Sequence, residues 1–218
     1  MSNSRTIHRI ASATRIHFVV LPRWFAAPVA IAAIVLGYLV SGGTGITGGL
    51  LLAAVIGLLL QSWGHSSNSW LDYVVTGFDR GTVGERSKKK PYTAGQNVIE
   101  EGTSTWAVLA NALFWLVMAY IFTAVAAAMY GPIVWLPVLL STPLTVAYSL
   151  GKKYFLCELV LGLGFGPLAG MLGAAMVPGA DLWRAALATI PIGLVFGFAG
   201  EAFDQWFDAE HNWPKGLR

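Results

Sequence analysis

The sequence is short of charge. Only 11% of its 218 residues are Asp, Glu, Lys or Arg, while 56% are hydrophobic, and mean hydropathy is clearly positive at +0.62. Roughly a quarter of an ordinary soluble domain is charged, so that class is excluded and a membrane protein is indicated. The net charge is only +3, which gives a nucleic-acid partner little support. Cysteine is almost absent too. Cys157 is the single one and lies in an apolar run, which excludes an internal disulfide and zinc-type cysteine spacing and reads as a buried thiol. No Ser/His/Asp arrangement and no short internal repeat is found. The basic N-terminus MSNSRTIHRIASATRIHFVVLPR lacks a short apolar core with a small-residue cleavage site. It therefore reads as a surface-lying cytoplasmic lead-in over 1–23, and not as a signal peptide.

Apolar runs are what the chain has in plenty. Six stretches are long enough to cross about 30 Å of hydrocarbon as helices: 24–41, 46–66, 105–129, 132–150, 156–177 and 182–203. The fold expected is an all-α, polytopic transmembrane helix bundle over 24–218. Loops 42–45 and 178–181 and the Tyr130-Gly131-Pro132 turn are short, so consecutive spans should be antiparallel neighbours. Gly and Pro within the spans (GGLLL, GLGFGPLAG, IPIG) suit close helix approach in a membrane. The one long connection, 67–104, carries most of the polar residues. Cations fall on one side: Arg5, Arg9, Arg15 and Arg23 in the lead-in, Arg80, Arg86, Lys88, Lys89 and Lys90 in loop 67–104, Lys152 and Lys153 after the fourth span, Lys215 and Arg218 in the tail. Arg184 alone lies opposite. The positive-inside rule then puts both termini and the charged loops in the cytoplasm.

The acidic residues share that face. Asn68, Asp72 and Asp79 have spacings that return to one side of a helix, provided the second span continues; Gly77 is a point at which it can break. Glu201, Asp204 and Asp208 repeat the pattern at the far end of the chain. Two carboxylate stripes facing one pocket would repel each other, and a divalent metal offsets that. Oxygen ligands at a water-accessible rim suit Mg²⁺, which keeps several waters and shares phosphate oxygens with a substrate. Arg80, Arg86, Lys88 and Lys152 would hold such a diphosphate from the other side. The plain alternatives are headgroup attraction for the Lys88–Lys90 run and solvated helix ends for the carboxylates. Trp63, Trp70, Trp206 and Trp213 read as an aromatic belt, His65 as interfacial or within reach of the site, His211 as solvated, and Asn111 as a bond to a neighbouring helix.

These residues carry a resemblance. NSWLDYVVTGFDRG with RSKKKPYTAGQ resembles the first aspartate-rich motif and basic loop of the UbiA-type intramembrane prenyltransferases. GEAFDQWFDAE resembles their second motif, and AYSLGKKYFLCELVLGLGFGPLAG a segment of the menaquinone-type branch, which acts on 1,4-dihydroxy-2-naphthoate. The likeness runs from about Leu21 to Arg218. It departs at Ser69, where the family usually has an aspartate, and in an Asp72–Asp79 spacing one residue longer than usual. It implies a fold of roughly nine spans, of which six are present here, hence a fragment or a shortened member. It further implies Mg²⁺ bound by Asn68, Asp72 and Asp79 and a second ion bound by Glu201, Asp204 and Asp208. Arg86, Lys88 and Lys152 would steady the diphosphate, with Tyr148 beside it and Glu158 on the acceptor side.

The function expected is Mg²⁺-dependent transfer of an isoprenyl group to an aromatic quinone precursor, in an integral protein of the cell (inner) membrane with a cytoplasmic active site. Its partners would be the isoprenyl diphosphate, the aromatic acceptor and membrane lipid; no protein partner is indicated. Two alternatives stand beside it. A transporter or channel would use the carboxylates as cation ligands, but no inverted repeat is visible. A CDP-alcohol-type phosphotransferase would need a denser run of aspartates on one helix.

Overall fold

A computed structural model describes residues 14–80, 98–100, 102–151 and 156–200. Among these the chain is all-α, with six helices long and apolar enough to cross a membrane. We name them α1 (Ile16–Val40), α2 (Gly48–Val74), α3 (Thr105–Tyr130), α4 (Pro132–Gly151), α5 (Cys157–Ala174) and α6 (Leu182–Gly200). They form a polytopic bundle.

Two elements differ from the spans expected. The first begins at Ile16, inside the basic lead-in, and is interrupted where Arg23 takes a left-handed conformation (φ 51°) before a 3-10 turn at Trp24–Ala26. The second does not stop at 66. It continues to Val74 because its polar residues find partners along the bundle: Ser66 Oγ donates to Asn111 Oδ1 at 2.9 Å, and Ser62 and Ser67 donate to carbonyls one turn back. A helix whose polar side chains are paired can run on past its apolar stretch. It ends where Gly77 adopts φ 71°, the break that the sequence marks.

The far ends of α2 and α6 are capped. Thr47 Oγ1 accepts from Leu50 N at 3.2 Å, and Asp181 Oδ1 accepts from Trp183 N and Arg184 N at 2.9 and 3.2 Å. At the same end Gly131, with φ 99°, turns the chain from α3 into α4. The core around Ile34, Ile56, Val138, Met171 and Leu172 sits where α1, α2, α4 and α5 meet. Lipid is as apolar as this core, so close backbone packing has to hold the helices together. At the α1–α5 crossing, a Cβ on Gly37 would run into the Gly170 carbonyl and one on Gly173 into that of Ile34. Pro167 in α5 and Pro191 in α6 lack the N–H that a regular turn needs, and each helix widens into a π turn nearby, at Gly164–Leu168 and Val195–Gly200.

Asn111 is the bond between neighbours that its depth suggested. Its Oδ1 also accepts from Trp115 Nε1 at 3.1 Å, and its Nδ2 donates to the His17 carbonyl at 3.1 Å, pinning the start of α1. Trp63 is not part of an interfacial belt. It is buried against Ala112 and Trp115 between α2 and α3. Trp70 is half-buried beside the Leu21, Val98 and Val108 cluster.

Candidate functional site

One face of α2 organises the site. Gly57, Leu60, Gln61, Gly64, His65 and Asn68 recur at helical spacing and line a cavity of about 440 Å³; Asp72 continues the same face one turn above. The opposite walls come from Leu144, Thr145 and Tyr148 of α4, Val160, Leu161 and Phe165 of α5, and Phe196 and Gly200 of α6. The Phe165 and Phe196 rings lie 4.6 Å apart, and their helices meet there at the two π turns. Most of the lining is apolar, as suits a lipid tail.

At the top of the cavity Asn68 links two helices. Its Nδ2 donates to Asp72 Oδ2 at 2.9 Å and to Ser149 Oγ of α4 at 2.8 Å. Asp72 is 1% exposed, so this carboxylate is held in place and largely removed from solvent. An amide that aims a carboxylate is the kind of support that fixes a metal ligand. Beyond Val74 the chain folds back on itself. Asp79 N donates to the Asp72 carbonyl at 3.2 Å, which brings Asp79 to the same helix end.

Arg80 has a structural task here. Its Nε donates to the Tyr73 carbonyl at 2.8 Å and its Nη2 to that of Val74 at 3.0 Å, with the guanidinium 5.8 Å from the Tyr73 ring centre. A cation on the last carbonyls of a helix favourably meets its dipole. Tyr148 lines the cavity beside Ser149. Glu158 stands in the first turn of α5, half-buried, where Cys157 Sγ donates to its Oε2 at 3.1 Å; it is not among the residues lining the cavity. Cys157 itself is buried, as its apolar setting predicts.

Arg86, Lys88, Lys152, Glu201, Asp204 and Asp208 lie outside the described residues, as do Lys89, Lys90, Lys153, Trp206, His211 and Trp213. Among the described residues there is no group of three or more His, Cys, Asp or Glu that would hold a metal ion. The oxygens of Asp72 and Asp79 are nevertheless hard donors at one helix end, the kind that Mg²⁺ takes. Sequence reasoning missed Ser149, which completes the Asn68 bridge, and Gln61, which lines the cavity. It favoured an interfacial reading of His65 over one within reach of the site, and His65 is part of the cavity wall. The signal available was the spacing 57, 61, 64, 68, 72 on one helical face. Comparisons with protein-family models, with curated proteins and with solved structures give no match.

Proposed function

We propose that the protein is a membrane prenyltransferase, moving an isoprenyl group from its diphosphate to an aromatic quinone precursor with Mg²⁺ bound at the acidic end. The observation that carries this reading is the shared cavity. Asn68 and Tyr148 line it from α2 and α4, and Gly200 lines it from α6, immediately before the second acidic stretch in sequence. The first acidic motif thus borders an apolar chamber whose α6 wall runs to the residue before the second motif in sequence. Asp72, Asp79, Glu201, Asp204 and Asp208 are the carboxylates for metal, and Asn68 orients Asp72. A bound divalent ion supplies charge neutralisation of the departing diphosphate. Arg86, Lys88 and Lys152 would neutralise it further, while Arg80 holds the end of α2. Leu60, Leu144, Leu161, Phe165 and Leu168 sheathe the isoprenyl tail and keep water from its allylic carbon. The cation bias sets this mouth toward the cytoplasm.

The test is pyrophosphate release from the purified chain in lipid, with Mg²⁺, isoprenyl diphosphates of several lengths and aromatic acceptors. Asp72→Ala and Asp204→Ala should each lower turnover by roughly a hundredfold or more, with the fold retained. No turnover by a folded protein, or near-normal turnover in either variant, overturns the proposal. Ion flux in liposomes without turnover would reassign the carboxylates to a transporter.

A further inference from the structure

The cavity has a floor. Ala30 of α1, Gly57 of α2, Pro137 of α4 and Leu172 of α5 are the lining residues farthest from Asn68 on their helices. Beneath them Ile34, Ile56, Val138 and Met171 close the core, none more than 2% exposed. The closure is tight at Gly57, where an added Cβ would stand 2.5 Å from Ile34 Cδ1 and 4.0 Å from Leu172 Cδ2. Two walls give the depth. Asn68 to Gly57 on α2 and Tyr148 to Pro137 on α4 each span eleven residues, about 16 Å of helix. Three backbone bonds of an extended chain cover about 3.5 Å, so the four of an isoprene unit cover about 5 Å. The chamber is therefore about three units deep. Its volume agrees. An apolar cavity of about 150 Å³ takes one benzene, and 440 Å³ is about three such volumes, or roughly 18 carbons.

We infer that this floor is a length gauge, admitting a donor of three or four isoprene units whose last methyl groups meet Leu172 and Ala30. The inference rests on the prenyl-transfer reading and deepens it by naming the donor. With the diphosphate at the acidic end, the tail runs down the α2 face from Asn68 toward Gly57. A shorter tail leaves apolar wall uncovered and forgoes the gain from burial. A longer one meets side chains already buried in the core, and forcing carbons into a filled core costs more than it returns. Leu172 is the floor side chain with atoms to give up: Gly57 has none, Ala30 only a methyl, and the ring of Pro137 is tied to its backbone. Ala30 is the place to add bulk, since its side chain faces the open space above the floor.

The experiment supplies the full chain, in lipid nanodiscs with Mg²⁺ and an aromatic acceptor, with geranyl, farnesyl, geranylgeranyl, pentaprenyl and nonaprenyl diphosphates. Pyrophosphate release gives kcat/KM for each, and calorimetry with the matching thiolodiphosphates gives binding without turnover. Farnesyl and geranylgeranyl donors should be best, with pentaprenyl and nonaprenyl at least about tenfold lower. Leu172→Ala should raise the pentaprenyl-to-farnesyl ratio about tenfold by opening the floor. Ala30→Leu should move the optimum to geranyl, and because it fills space it decides the matter should Leu172→Ala fail to fold. Equal use of nonaprenyl and farnesyl donors would mean that the tail leaves sideways into lipid, and it overturns the gauge. Folded variants that keep the wild-type length profile overturn it too. A length limit in binding without any turnover would uphold the gauge and sink prenyl transfer. Turnover without a length limit would do the reverse, and no binding of any donor sinks both.

Discussion

At the scale of single residues, the bridge from Ser149 through Asn68 to Asp72 makes a graded prediction. Asn68 is the donor to a carboxylate that is almost wholly buried. A hydrogen bond to a charged group contributes about 1.5–3 kcal/mol, against about 1 kcal/mol for a neutral one. Asn68→Leu should therefore lower stability by about 2 kcal/mol and cut metal-dependent turnover severely, while Ser149→Ala should cost about 1 kcal/mol and leave most activity. Denaturant or thermal unfolding in detergent beside pyrophosphate release measures both; if Ser149→Ala proved the more damaging, Asn68 would not be the group that holds Asp72. Asn68 and Asp72 were legible as a pair because their spacing is that of one helical face. Gln61 and His65 were not, because a polar residue near a span end looks the same in sequence whether it meets headgroups or a cavity. Nor was Ser149, since a lone serine carries no pattern until α4 is set against α2.

Helices were legible where apolar runs were long, which is why all six spans appear. Their ends were not, since the sequence does not say which polar side chains will find partners inside the bundle. The continuation of α2 to Val74 depends on Ser66 meeting Asn111 and Asn68 meeting Ser149. The crossing of α1 on α5 was equally hidden, although its glycines stood in plain view. There the backbone leaves no room at Gly37, where an added Cβ meets the Gly170 carbonyl. At Gly64 the added atom meets only Thr145 Oγ1, at an ordinary 3.7 Å. Gly37→Ala should thus destabilise by about 1–3 kcal/mol as the helices are forced apart. Gly64→Ala should be neutral or stabilising by up to about 1 kcal/mol, because alanine is the better helix former. Thermal midpoints of the two variants, measured in the same detergent, decide this. Similar midpoints would mean that the crossing tolerates a wider separation than the structure gives it.

For the whole molecule, the asymmetry of charge predicts which compartment the proposed active site would face. The start of α1, the end of α2, the start of α3, the end of α4, the start of α5 and the end of α6 share one end of the bundle, and the cavity top lies among them. Arg184 is the only one of the 14 Lys and Arg residues at the opposite end in sequence, beside the Asp181 cap. Lys and Arg in short loops resist translocation, so the crowded end should stay in the cytoplasm. Single cysteines read this directly in a Cys157→Ser background. Thr44→Cys and Pro178→Cys sit in exposed turns at the far end, and Ser104→Cys sits exposed just before α3 at the cavity end. A membrane-impermeant maleimide applied to whole cells should label the first two at once and Ser104→Cys only after the cells are opened. The reverse pattern would put the acidic motifs outside, away from any cytoplasmic diphosphate. Catalysis on such a donor would then be impossible, whatever the cavity can bind.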